Sequence, residues 1–347
     1  MSDIKLFRLG AGRATELQGD ASDLEKPLQT LIENNLDVLL GIRFLATKYV
    51  TGKTHGGRID SLGMDENHCP VILEYKRSVG ENVINQGLFY LDWLMDHQAE
   101  FKLLVMDALG KAAADQIDWS APRLICIAAD FTKYDGHAVQ QINRNIELIR
   151  YRRFGEELLL LEQASSATVS RTTGRSASGH NDSKRAKGGQ AVQPDSGPVR
   201  NGGTDKTVAE HLATMSEPLV VLLASLEDYL LSLGDDVQRK ELKLYVAFKR
   251  LKNFATVVPQ NSRLLLYLHL DVDQVPPPPD IGRDVRDIGH WGTGDMELSL
   301  TKASDLDAVK PLIQMAYEGR GGVGLEPLFA VQADPGQPPI VSPKETE

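Results

Sequence analysis

The chain has 347 residues, with a hydrophobic fraction of 41% and a charged fraction of 25%. That is the make-up of a globular protein with length for two domains. Its longest apolar runs, such as 158–161 and 219–226, fall far short of a bilayer span, and Asp3 and Lys5 interrupt any apolar start. No membrane segment or secretory signal is therefore expected, and the cytoplasm is the expected compartment. A formal net charge of −10 argues against a surface built for long phosphate backbones, but not against a local site whose carboxylates hold metal ions. Cys69 and Cys126 form no Cys-x-x-Cys pair and read as small apolar residues rather than zinc ligands.

In chain order, Ser22 or Asp23 can cap a helix running to Asn34, with Leu24, Leu28, Leu31 and Ile32 on one side and Pro27 in its first turn. Strands are expected at 44–50, 58–63 and 70–76, the last (PVILEYK) being the richest in β-formers. Val83, Ile84, Leu88, Leu91 and Leu94 are spaced for the buried face of a helix over 81–97. A buried strand is expected at 123–129, a helix at 138–146, and two short strands around Gly155 within 148–161. These elements form a first domain, residues 1–163, of α/β class with a mixed sheet flanked by helices.

Residues 164–206 are dense in Ser, Thr, Gly and Ala, and basic residues outnumber acids there. Such a segment reads as a disordered linker, with a weak electrostatic arm for nucleic acid as the sharper alternative. A smaller α+β domain is expected over 207–330. It opens with one or two amphipathic helices (211–233), has strands at 245–248 and 264–270, and closes with a helix over 306–317. The run Pro276–Pro279 belongs to no central strand. The proline-rich tail 331–347 reads as disordered.

The chemistry concentrates in GGRIDSLGMDENHCPVILEYKRS, residues 56–78. Side chains alternate faces along a strand, so Glu74 and Lys76 point one way and Tyr75 the other. An adjacent strand brings Asp60 beside Glu74. Two carboxylates packed together repel each other, and burying them unpaired is costly. A Mg²⁺ or Mn²⁺ ion removes that conflict, taking one or two carboxylates plus waters and phosphate oxygens. The main-chain carbonyl of Tyr75 offers a further ligand, and Arg58 either a structural role or a phosphate contact.

Asp60 followed by Glu74-x-Lys76 resembles the D…(D/E)-x-K signature of the PD-(D/E)XK nuclease superfamily. Gly57-Arg58-Ile59-Asp60 is similar to the corresponding stretch of NucS-type endonucleases. Gln86 and Tyr90, four apart on the next helix and so on one face, resemble the Q-x-x-x-Y motif of RecB-like members. Glu25 matches the acid that many members add to the metal shell, with Glu33 a competing acid on the same helix. The resemblance covers residues 20–130. It implies a restriction-endonuclease-like fold, a catalytic set of Asp60, Glu74, Lys76, Gln86 and Tyr90, and a metal shell of Asp60, Glu74, Tyr75 and Glu25.

In the second domain, Lys249, Arg250 and Lys252 lie among Phe248 and Phe254, a mixture that suits a nucleic-acid surface as well as a solvated face over core aromatics. The segment resembles an uncharacterised domain found behind such nuclease domains and in predicted transport proteins. The function expected from all this is a Mg²⁺-dependent nuclease acting on DNA rather than RNA, in repair or defence. The alternatives are a catalytically silent nucleic-acid-binding or protein-interaction module, and a transport-associated protein acting through its second domain. Nothing in the sequence bears on oligomeric state.

Overall fold

The computed structural model describes residues 4–10, 12–20, 25–52, 56–76, 83–167 and 206–319. The linker beyond 167, the tail after 319 and the side chain of Glu25 lie outside the described residues. The chain begins with a hairpin, β1 (Leu6–Gly10) and β2 (Arg13–Leu17), and a short β3 (Gly19–Asp20). Next come helices α1 (Glu25–Glu33) and α2 (Leu36–Leu40), then strands β4 (Ile42–Val50), β5 (Arg58–Asp65) and β6 (Pro70–Lys76). Three helices follow: α3 (Val83–Asp96), α4 (Gln98–Leu109) and α5 (Lys111–Asp115). The unit closes with β7 (Arg123–Ala128), α6 (Lys133–Gln141), β8 (Asn145–Phe154) and β9 (Leu158–Ala167).

The first sheet is mixed. β4, β5 and β6 are antiparallel neighbours, β6, β7 and β8 run parallel, and β9 pairs antiparallel with β8. β3 pairs only with the far end of β8, at Phe154 and Arg153. Since β9 runs along one edge of β8, β3 sits on the other edge, past the end of β7. Helices cover both faces, which is why β6 and β7 read as nearly unbroken apolar runs. Ile72, Leu124 and Cys126 face α3 and α4, packing with Leu91, Trp93, Leu94 and Phe101. Val71, Leu73, Tyr75, Ile125 and Ile127 face α1 and α2, packing with Leu28, Ile32, Leu36 and Leu40. This is the mixed α/β sheet flanked by helices that the sequence predicts.

The helix expected over 138–146 lies earlier and ends sooner, at Lys133–Gln141. Its start is fixed by a capping box in which Thr132 and Asp135 satisfy each other's backbone N–H groups. Residues 145 and 146 already belong to β8. The two short strands expected around Gly155 are two long ones of 10 residues each, and β9 continues to Ala167, inside the stretch read as linker.

The second unit has helices α7 (Val208–Thr214), α8 (Glu217–Ser232) and α9 (Ala303–Tyr317) on one face of a six-stranded antiparallel sheet. Its strands are β10 (Gln238–Glu241), β11 (Val246–Lys249), β12 (Asn253–Pro259), β13 (Leu264–Leu268), β14 (Gly282–Asp284) and β15 (Met296–Leu300), in spatial order β10-β11-β12-β13-β15-β14. Leu226, Phe248, Leu266, Leu298 and Val309 form the core under the helices. The opposite face, with Tyr245, Ala247, Leu265 and Tyr267, packs with Cys69 and Ala121 of the first unit.

That contact is ionic at its heart. Arg123 forks onto Glu147 at 2.8 and 2.9 Å and donates to Asp65 at 3.0 Å. Lys249 reaches both Glu147 oxygens at 2.9 Å, and Lys240 reaches Asp65 at 3.3 Å. All five side chains are buried. The expectation that Lys249 contacts nucleic acid is therefore corrected: its ammonium is spent on Glu147 inside the protein. Lys252, three positions past the end of β11, is exposed.

Candidate metal and phosphodiester site

The second unit caps the end of the first sheet where β5 finishes and β6, β7 and β8 begin. Asp60, Glu74 and Lys76 lie at the other end, five strand residues or roughly 16 Å from Asp65. In open sheets of this kind the crevice outside the carboxyl ends of parallel strands is the place where ligands bind.

The β5–β6 ladder runs from Met64↔Pro70 to Ser61↔Leu73 and stops there. One step further, each carboxylate takes the place of a ladder partner. The N–H of Asp60 donates to Glu74 Oε1 at 3.1 Å, and the N–H of Tyr75 donates to Asp60 Oδ2 at 3.0 Å. The strands part, and the two acids are pinned face to face in the gap. Asp60 is 6% exposed and Glu74 fully buried. Glu74 Oε2 has no hydrogen-bond partner among the described residues. Burial and the neighbouring Asp60 push the Glu74 carboxyl up to about 8, against the pull of the Asp60 N–H, Lys76 and Lys48.

Lys76, partly buried, follows Glu74 on the same face of β6. Tyr75 points to the opposite face, where its hydroxyl accepts from Ser61 at 3.4 Å. Gln29 of α1 donates to the Asp60 carbonyl at 2.9 Å and to Glu33 at 2.8 Å, and Glu33 accepts from Ser61 Oγ at 2.5 Å. α1 thus fixes the backbone of β5 from behind through Gln29, which no sequence signal placed there, and through Glu33, which the sequence offers as a competing acid for the metal shell and which here bonds to Gln29 and Ser61 instead.

Gln86 and Tyr90 brace the same strand from the other side. Tyr90 is 5% exposed. Its hydroxyl accepts from the N–H of Arg58 at 3.2 Å and from Gln86 Nε2 at 3.2 Å. Its ring lies where a side chain at Gly57 would be, so the glycine is required by close approach. These two residues act on the backbone ahead of Asp60 rather than on the carboxylates. The Arg58 side chain is exposed at the start of β5.

A further group reaches the acids from β4. Lys48 donates to Asp60 Oδ1 at 2.6 Å, with its side chain about a third exposed (34%). Among the described residues no three His, Cys, Asp or Glu gather closely enough to form a metal cluster. The donor set at hand is two carboxylates, one of them with an orphaned buried oxygen. That fits Mg²⁺ or Mn²⁺, which fill the rest of their shell with water and substrate oxygens.

Residues 208–319 match the family profile described as Domain of unknown function (DUF5655). A Haemophilus influenzae protein described as uncharacterized is 26% identical over 321 residues, covering 91% of this chain and 100% of its own length. A repair endonuclease from Pyrococcus abyssi is similar at 19% identity over 39% of this chain and 50% of its own, with a TM-score of 0.25. EndoMS in a dsDNA complex is similar at 19% identity over 39% of this chain and 47% of its own, with a TM-score of 0.21. The chain spans about half the length of these two solved structures. No helix of the described residues is long and apolar enough to cross a membrane.

Proposed function

We propose that Asp60, Glu74 and Lys76 form the active site of a metal-dependent phosphodiesterase acting on DNA. The observation that carries this reading is the paired, buried carboxylates at the split end of β5 and β6, one with an oxygen that nothing among the described residues satisfies. The resemblance of the D…ExK, GRID and Q-x-x-x-Y residues to PD-(D/E)XK nucleases supports the same reading.

Asp60 and Glu74 would hold Mg²⁺ or Mn²⁺, with the Tyr75 carbonyl and Glu25 as further candidate ligands. When bound, such an ion acidifies a water and offsets charge on the scissile phosphate. Lys76 orients the attacking water or stabilises the negative charge that develops on the phosphate. The water oxygen bonds to phosphorus as the bridging P–O bond breaks, one water proton passes to solvent, and the leaving oxygen takes a proton from solvent. Gln86 and Tyr90 act as positioning residues by holding the Arg58–Asp60 backbone, and the exposed Arg58 and Lys252 are candidate phosphate contacts. The test is cleavage of single-stranded, duplex and branched DNA with Mg²⁺ or Mn²⁺, beside Asp60→Ala and Lys76→Ala. Both variants should lose cleavage while keeping the wild-type fold; activity unchanged in both would refute the site.

A further inference from the structure

Lys48 is one of two non-glycine residues with a left-handed backbone among the described residues, at φ 50°. It sits inside a strand. Thr47↔Ser61 and Tyr49↔Ile59 are in register on either side of it, while Lys48 itself departs from the extended conformation. L side chains avoid that region, and such strain persists only where surrounding structure imposes it; it gathers at functional sites. The consequence here is specific: the turn carries the Lys48 ammonium onto Asp60 Oδ1 at 2.6 Å, next to the buried Glu74. A regular strand carries no such deviation.

We infer that Lys48 is the resident cation of the metal-free site, a positioning residue that holds Asp60 in place and must leave it when a divalent ion binds. This rests on the proposed metal-dependent reading. Two facing buried carboxylates repel, and in the absence of an ion the Lys48 ammonium is the group bonded to Asp60, offsetting the pair together with Lys76. An ammonium and a divalent ion on one carboxylate repel each other in turn, so the two compete for Asp60. The long stem and partial exposure of Lys48 give it room to swing into the cleft without unfolding β4. There it remains a charge at the mouth of the site.

The experiment is calorimetric titration of MnCl₂ into the full-length wild type and into K48N, K48G and K48R. Thermal melts of the same proteins are run in EDTA and in excess Mn²⁺. Asn and Gly accept a positive φ, so both neutral variants keep the backbone that the site needs. K48N and K48G should bind Mn²⁺ roughly tenfold more tightly than wild type, the order expected for a part-buried ion pair no longer opposing the metal. They should melt lower than wild type in EDTA but not in Mn²⁺, and K48R should bind as wild type does. Equal or weaker Mn²⁺ affinity in both neutral variants would overturn the inference, as would a melting loss of the same size with and without metal. If wild type binds Mn²⁺ and these variants bind no tighter, only the role of Lys48 falls. If neither wild type nor the variants take up Mn²⁺, the metal-dependent reading falls with it.

Discussion

Replacing Glu147 by Gln should unlock the two units from each other. In the native protein three cations, Arg123, Lys240 and Lys249, face two carboxylates, Asp65 and Glu147, with every side chain buried. Burial alone raises the pKa of Glu147, but Arg123 and Lys249, which also donate hydrogen bonds to it, outweigh burial and hold the carboxyl far below the usual range. Glu147→Gln leaves a single carboxylate against three buried cations. Removing one partner of a buried pair costs about 3–5 kcal/mol. At about 1–2 °C per kcal/mol for a chain of this size, the melting temperature should fall by roughly 3–10 °C. Lys249→Met is the contrasting change, because it removes the one surplus cation and leaves Arg123 to satisfy Glu147; it should cost far less. Differential scanning calorimetry of both variants decides the matter. A Glu147→Gln protein within about 1 kcal/mol of wild type, or one no worse than Lys249→Met, would refute the account of the interface.

The same network sets a pH dependence. Because the folded pKa of Glu147 lies below its unfolded value, its contribution is fully present above the ordinary carboxylate range and is lost as pH falls through and below it. Melts from pH 6 down to pH 3 should show a loss in wild type that Glu147→Gln lacks. Glu66 acts in the opposite sense: burial, only partly offset by the Asn253 N–H, pushes it up to about 7. It therefore removes stability as pH rises from its ordinary value toward 7, and Glu66→Gln should flatten that slope in the same melts. Gly57→Ala places a methyl in the Tyr90 ring and should cost about 1–3 kcal/mol in urea unfolding, with loss of metal-dependent cleavage. Tyr90→Phe removes the acceptor of the Arg58 N–H and should cost about 1 kcal/mol by the same measurement; an unchanged unfolding midpoint would show that the brace does not matter.

The alternation of one β-strand was enough to place Glu74 and Lys76 together and Tyr75 opposite, because that period is a local property of extended backbone. Helical spacing likewise put Gln86 and Tyr90 on one face, and the β-formers of PVILEYK marked β6 as a strand. The helix before β8 lies earlier than expected because the Thr132–Asp135 capping box sets its start and residues 145 and 146 pair into the sheet. What no local pattern holds is pairing at a distance. Glu147 and Lys249 meet across 102 positions, so a lysine in an aromatic-rich strand read as a surface cation until the docked sheet enclosed it. Nor did the sequence show Lys48 reaching Asp60, since its strand is regular in composition and only the packed sheet forces one residue out of extended geometry. The chain by itself determined which residues could carry the chemistry; tertiary structure decided which charges are spent holding the protein together, because only folding settles which of them lose water and find each other.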